Sequence, residues 1–117
     1  MTETEIQIIR QPIPRSRLRG MAREEFGGLV KTVVDIERRI MAVGGDMHAD
    51  EEGVLLADGS PQKDLWGINL FPHKDNEKFI EFDSMINLRP SQGNRSRGVD
   101  DPATRSRIQK VVHTLIL

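Results

Sequence analysis

LVKTVVDIERRIMAVGG, residues 29–45, is the stretch whose reading decides the fold. Its β-branched clusters and alternation put Val30, Thr32, Val34, Ile36, Ile40 and Ala42 on one face, with Lys31, Asp35, Glu37 and Arg39 on the other. That is the pattern of a half-buried strand over 30–43. Gly44-Gly45 then supplies the positive φ angles of a two-residue hairpin turn. The turn predicts a partner strand over 46–57 and a register of Val43 with Asp46, Ala42 with Met47, Ile40 with Ala49, Arg39 with Asp50, Ile36 with Gly53 and Val34 with Leu55. Apolar meets apolar in this register, whereas a slip of one residue sets Ile40 against Asp50 or His48. A helix over 30–43 is the competing reading.

Outward from this hairpin, Asp58-Gly59-Ser60-Pro61 is a turn cluster. A strand over 64–71 ends at Pro72, and another over 78–89 ends at Pro90. A loop over 72–76 pairs Trp66 with Phe82 and Ile68 with Ile80. Near the start, EIQII (5–9) reads as a brief strand, interrupted by Pro12 and Pro14, which have no N–H to donate. Ser16 caps an expected helix over 17–26 that buries Leu18, Met21, Ala22 and Phe26 and stops at Gly27-Gly28. Asp101 followed by Pro102 starts a C-terminal helix over 102–115, with Ile108, Val111, Val112 and Leu115 on one face. The fold class that follows is α+β: a four- to five-stranded, mostly antiparallel meander covered on one face by two helices.

Composition sets the outer limits. The 117 residues suit one domain, taken as 1–117, and 37% hydrophobic content is ordinary for a globular chain. The absence of cysteine excludes disulfides, thiolate metal sites and a cysteine nucleophile. With 17 basic and 18 acidic residues, the net charge of −1 gives no global pull toward nucleic acid or membrane. No apolar run nears the ~20 residues of a membrane span, and MTETEIQIIR lacks a signal peptide's apolar stretch. A cytoplasmic protein is the expectation. One tryptophan and no tyrosine offer no stacking platform for single-stranded nucleic acid.

Two constellations could carry chemistry. If the registers hold, Asp35, Glu37, Arg39, His48, Asp50, Glu52, Glu81, Asp83, Asn87 and Arg89 share the polar sheet face. Carboxylates on adjacent strands provide hard oxygen ligands for Mg²⁺ or Mn²⁺, and Asp35, Glu37, Glu81 and Asp83 are the candidate metal ligands. His48, Asp50, Glu81 and Asp83 are the candidate catalytic groups, with His48 as general base. A solvated face with cross-strand ion pairs is the plainer alternative. The second constellation is RPSQGNRSRG (89–98), where Arg89, Gln92, Asn94, Arg95 and Arg97 could grip an anion near the start of the last helix. Here the alternative is that the arginines neutralise Asp100, Asp101, Glu81 or Asp83 within the fold.

The strings HADEEG (48–53), LWGINLFP (65–72) and EFDSMINLRPSQGNRSR (81–97) resemble a family of small prokaryotic proteins of unknown function. The similarity runs from about Ile6 to Leu115, and Asn87–Arg97 is its most distinctive piece. It implies a self-contained domain in a prokaryotic cytoplasm and assigns no catalytic residue. Two functions stay open. One is a binding or regulatory protein recognising an anionic small molecule or partner through the 89–98 loop, without a cofactor. The other is a metal-dependent hydrolase acting on a phosphate-containing substrate at the carboxylate face. An exposed sheet edge would allow a homo-oligomer.

Overall fold

The computed structural model describes residues 5–117; the expectations for residues 1–4 lie outside them. Five strands form one sheet: β1 (Gln7–Ile9), β2 (Val30–Asp35), β3 (Ile40–Val43), β4 (Leu65–Leu70) and β5 (Ile80–Glu81). Their order is β1-β3-β2-β4-β5, and every neighbouring pair is antiparallel. The helices are α1 (Arg15–Arg19), α2 (His48–Ala57) and α3 (Pro102–Leu115). The α+β class stands, and α1 and α3 cover one face as expected. Leu18 of α1 and Ile108, Val111, Val112 and Leu115 of α3 pack with Val30, Val34, Met41, Val43, Trp66, Ile68 and Leu70.

The decisive stretch breaks where a single strand was expected. Asp35 is fully buried, and its Oδ1 accepts the Glu37 and Arg38 N–H groups, both at 2.9 Å. The Arg39 N–H closes on the Asp35 carbonyl at 3.0 Å, with Arg39 itself in the left-handed region at φ 59°. Such an aspartate-templated turn reverses the chain over 36–39, so 30–35 pairs with 40–43. One signal of this was present: in the long-strand register Arg38 falls on the apolar face.

Gly44-Gly45 is therefore no hairpin turn, and 46–57 is no strand. A Cβ at Gly44 would stand 2.8 Å from the Glu5 carbonyl oxygen, and one at Gly45 2.9 Å from Glu51 Cγ. The glycines let β1 and α2 approach the backbone closely. Leu55 of α2 packs on Val33, Ile40, Ala42 and Leu65, the second face of the sheet. The face expected to be polar is thus partly covered by a helix, and the Arg39–Asp50 pairing and the rest of that register do not exist.

The last strand is also shorter than expected. β5 ends at Glu81, and Asn69 faces Glu81 while Leu70 faces Ile80, two residues from the predicted register. An even shift keeps each side chain on its face. Beyond Phe82 the chain crosses over β4, because Asn87 accepts the Gly67 N–H and donates to the Gly67 carbonyl, both at 2.9 Å. Gly67 permits the crossing, since a Cβ there would stand 2.5 Å from Ser84 Cβ. Residues 85–87 and 90–92 are 3-10 turns.

The helix expected over 17–26 is α1 plus a separate 3-10 turn at 24–26. α1 starts after Pro14, without a side-chain cap from Ser16, and Gly27 and Gly28 end the segment at φ 75° and 83°. α3 forms as expected, and Asp101 accepts the Ala103 N–H. No helix among the described residues is long and apolar enough to cross a membrane.

Candidate functional site

Three of the residues singled out in the sequence, His48, Asp83 and Arg97, meet at one cleft, though not in their expected roles. Antiparallel pairing aligns Lys31 of β2, Asn69 of β4 and Glu81 of β5 in a row across the second sheet face. The start of α2 lies over one side of this row, and the crossing segment 83–86 with Arg97 lies over the other. A cleft of about 230 Å³ between them is lined by Lys31, His48, Asn69, Asp83 and Arg97. Met47 and Met85 also line it, and they are 56% and 62% exposed.

The polar groups have distinct states. Asn69 is 6% exposed; its Nδ2 donates to Glu81 Oε1 at 2.8 Å and to the Asp83 carbonyl at 3.4 Å. Its Oδ1 is buried and accepts no hydrogen bond of ordinary geometry, although the His48 ring interacts with this side chain. His48 Nε2 lies 2.8 Å from the Ile68 carbonyl, and since a carbonyl only accepts, Nε2 carries the proton. Burial lowers the His48 pKa against the opposing effect of that bond, so the ring is neutral near pH 7 and Nδ1 is its acceptor. Arg97 Nε donates to Asp83 Oδ1 at 2.7 Å in an exposed pair. The Lys31 ammonium sits 4.7 Å from the centre of the Phe26 ring.

The carboxylate site expected for Mg²⁺ or Mn²⁺ is not assembled. Asp35 templates the β2–β3 turn, and Glu37 accepts from Arg107 at 2.6 Å, which holds its carboxyl below the usual range. Glu81 lies two strands away, at the level of Lys31, four residues along β2 from Asp35. Strand geometry sets Asp35 and Glu81 on the order of 15 Å apart. Asp50 is exposed on α2. Among the described residues no group of three or more His, Asp and Glu side chains could hold a metal ion.

The loop 89–98 likewise is not arranged as one anion clamp, because most of its polar side chains are used inside the fold. Arg89 is buried over Trp66 and donates to the carbonyls of Ile86, Gln62 and Leu65; burial lowers its pKa. Asn94 donates to the Asn87, Ser96 and Gly98 carbonyls and accepts the Asp100 N–H. Gln92 reaches the Lys63 carbonyl at 3.4 Å. Asp100 accepts from the Arg95 N–H and the Ser96 hydroxyl, which hold its carboxyl below the usual range. The Arg95 side chain makes no hydrogen bond or ion pair among the described residues. Arg97 alone of the five enters the cleft.

A family model matches residues 7–115, a span that contains every strand and helix of the described residues. The chain belongs to the DUF5674 family. That family is described as a protein of unknown function, in agreement with the resemblance drawn from the three motif strings. No curated protein and no solved structure matches the chain significantly. In this DUF5674 chain HADEEG begins α2, LWGINLFP contains β4, and EFDSMINLRPSQGNRSR is the crossing segment; all three contribute to the cleft. Sequence reading missed Lys31, Asn69, Met47 and Met85 as cleft residues. Asn69 carried a signal, as the polar residue within the apolar run LWGINLF.

Proposed function

We propose that the chain is a small ligand-binding protein whose recognition site is the cleft between the start of α2 and the crossing segment. The ligand is a small molecule bearing an anionic group next to an N–H or O–H donor. The observation that carries this reading is the convergence of two cations, Lys31 and Arg97, on one cleft beside the Asn69 amide, whose buried Oδ1 accepts no hydrogen bond of ordinary geometry and lies next to the His48 ring. A buried acceptor left without a donor costs about 1–3 kcal/mol, and a ligand donor that meets the Asn69 amide as it turns toward the cleft recovers part of that. Lys31 and Arg97 supply positive charge for the anion. Arg97 is held by an exposed ion pair, an interaction worth at most about 1 kcal/mol, so its guanidinium turns to a ligand at little cost. The exposed, unbranched Met47 and Met85 provide adaptable apolar lips.

The test is a thermal-shift panel of amino acids and hydroxy acids at low salt, run on wild type, Arg97→Ala and Asn69→Leu. A ligand at one hundred times its Kd stabilises by about 2.7 kcal/mol. Arg97→Ala keeps the ligand-free stability within about 1 kcal/mol of wild type and loses the shift. A panel that leaves wild type unmoved, or shifts that survive in both variants, overturns the reading.

A further inference from the structure

A second cleft, of about 290 Å³, lies between the β2–β3 turn and α3 and shares no residue with the first. Its lining is Ile36, Arg39, Arg107, Lys110, Val111 and Thr114. The four α3 residues have the spacing i, i+3, i+4 and i+7, which puts them on one stripe of the helix. Ile36 and Val111 are buried and give the cleft apolar walls. We propose that this cleft is a phosphate-ester site in which Arg39, Arg107 and Lys110 hold the phosphoryl group.

Three observations support the assignment. First, three cations line the cleft, and the neighbouring ion-pair partner is Glu37, bound to Arg107 Nη2 at 2.6 Å. The Arg39 and Lys110 side chains make no hydrogen bond or ion pair among the described residues. Two planar guanidinium groups and an ammonium match a phosphate dianion in charge and donor geometry. Secondly, Arg39 occupies the left-handed region at φ 59°, where glycine or asparagine is the unstrained choice. The hairpin does not need an arginine at that position, because its turn is made by Asp35 and by the Arg39 backbone N–H. The side chain is what distinguishes arginine there. Thirdly, the apolar walls and the volume suit a ligand with a compact carbon body rather than a bare ion.

Glu37 makes the site competitive. A phosphoryl dianion takes Arg107 from Glu37, whose carboxylate then stays within the field of Lys63. The inference does not rest on the first cleft, and the two fail separately.

The experiment is calorimetric titration of the full chain at low salt with phenyl phosphate, inorganic phosphate and benzoate. Phenyl phosphate is expected to bind best, inorganic phosphate at least tenfold more weakly, and benzoate not detectably. Arg39→Gly is expected to melt at or above the wild-type temperature without ligand while losing at least tenfold in phenyl phosphate affinity. Glu37→Gln frees Arg107 and is expected to bind several-fold more tightly. Arg19→Ala, on α1 and in neither cleft, keeps wild-type affinity. Wild-type affinity in Arg39→Gly, weaker binding in Glu37→Gln, or equal binding of benzoate and phenyl phosphate overturns the proposal. So does the absence of binding by either phosphate probe.

Discussion

Replacing Glu51 by glutamine removes a proton-linked instability whose size follows from the burial of that carboxyl. Glu51 sits in the first turn of α2 and is fully buried. Its Oε2 accepts the Gly45 N–H at 2.9 Å, and Oε1 has no partner. Burial outweighs that bond and pushes the pKa from 4.5 up to about 9. The folded chain therefore keeps the proton at neutral pH, while the unfolded chain has released it. The favourable contribution of the protonated acid is complete below the unfolded pKa and is lost as pH climbs toward the folded one. Each pH unit inside that window removes about 1.4 kcal/mol, so roughly 4 kcal/mol goes between about pH 5 and about pH 8. That is a large part of the ~5–15 kcal/mol that stabilises a typical domain. Glu51→Gln keeps the acceptor for Gly45 and has no proton to lose. Urea unfolding of both proteins across this range should show the variant gaining about 4 kcal/mol on wild type from the acid to the alkaline end. A difference constant within about 0.5 kcal/mol would refute the buried, protonated carboxyl.

Leu115→Ala at the buried end of α3 should cost roughly 2–5 kcal/mol in the same assay, and a change below about 0.5 kcal/mol would mean that α3 does not cover the sheet. Asn87→Ala deletes one accepted and two donated bonds, to the Gly67 N–H and to the Gly67 and Arg97 carbonyls. It should cost at least about 2 kcal/mol and speed hydrogen exchange at the Gly67 amide; unchanged exchange there would show that Asn87 does not pin the crossing.

Several elements were legible because their signals are local. Asp101-Pro102 and the three-and-four spacing that follows specify α3 in a few neighbouring residues. The run ending at Pro72 specifies β4, and the apolar stripe of α3 specifies which of its side chains are buried; the face served by β3 was not legible, since Met41 and Val43, not Ile40 and Ala42, pack with Leu18 and Leu115. The early strand at 5–9 was also legible, although its partner, β3, was not.

What sequence alone could not decide was where buried strands stop and which face they serve. Residues 30–35 and 40–43 are packed on both faces, so period-two alternation is not the pattern that governs them. The reversal between them depends on one carboxylate capping two backbone amides, which leaves little trace in hydropathy. α2 buries only Glu51 and Leu55 fully, a stripe too thin to announce a helix; docking on Val33, Ile40 and Ala42 gives it its place. The cleft followed from the same tertiary choices. Only once α2 replaced a strand and Asn87 drew residues 83–97 across Gly67 did His48, Asn69, Asp83 and Arg97 come together, because each depends on contacts between segments distant in the chain.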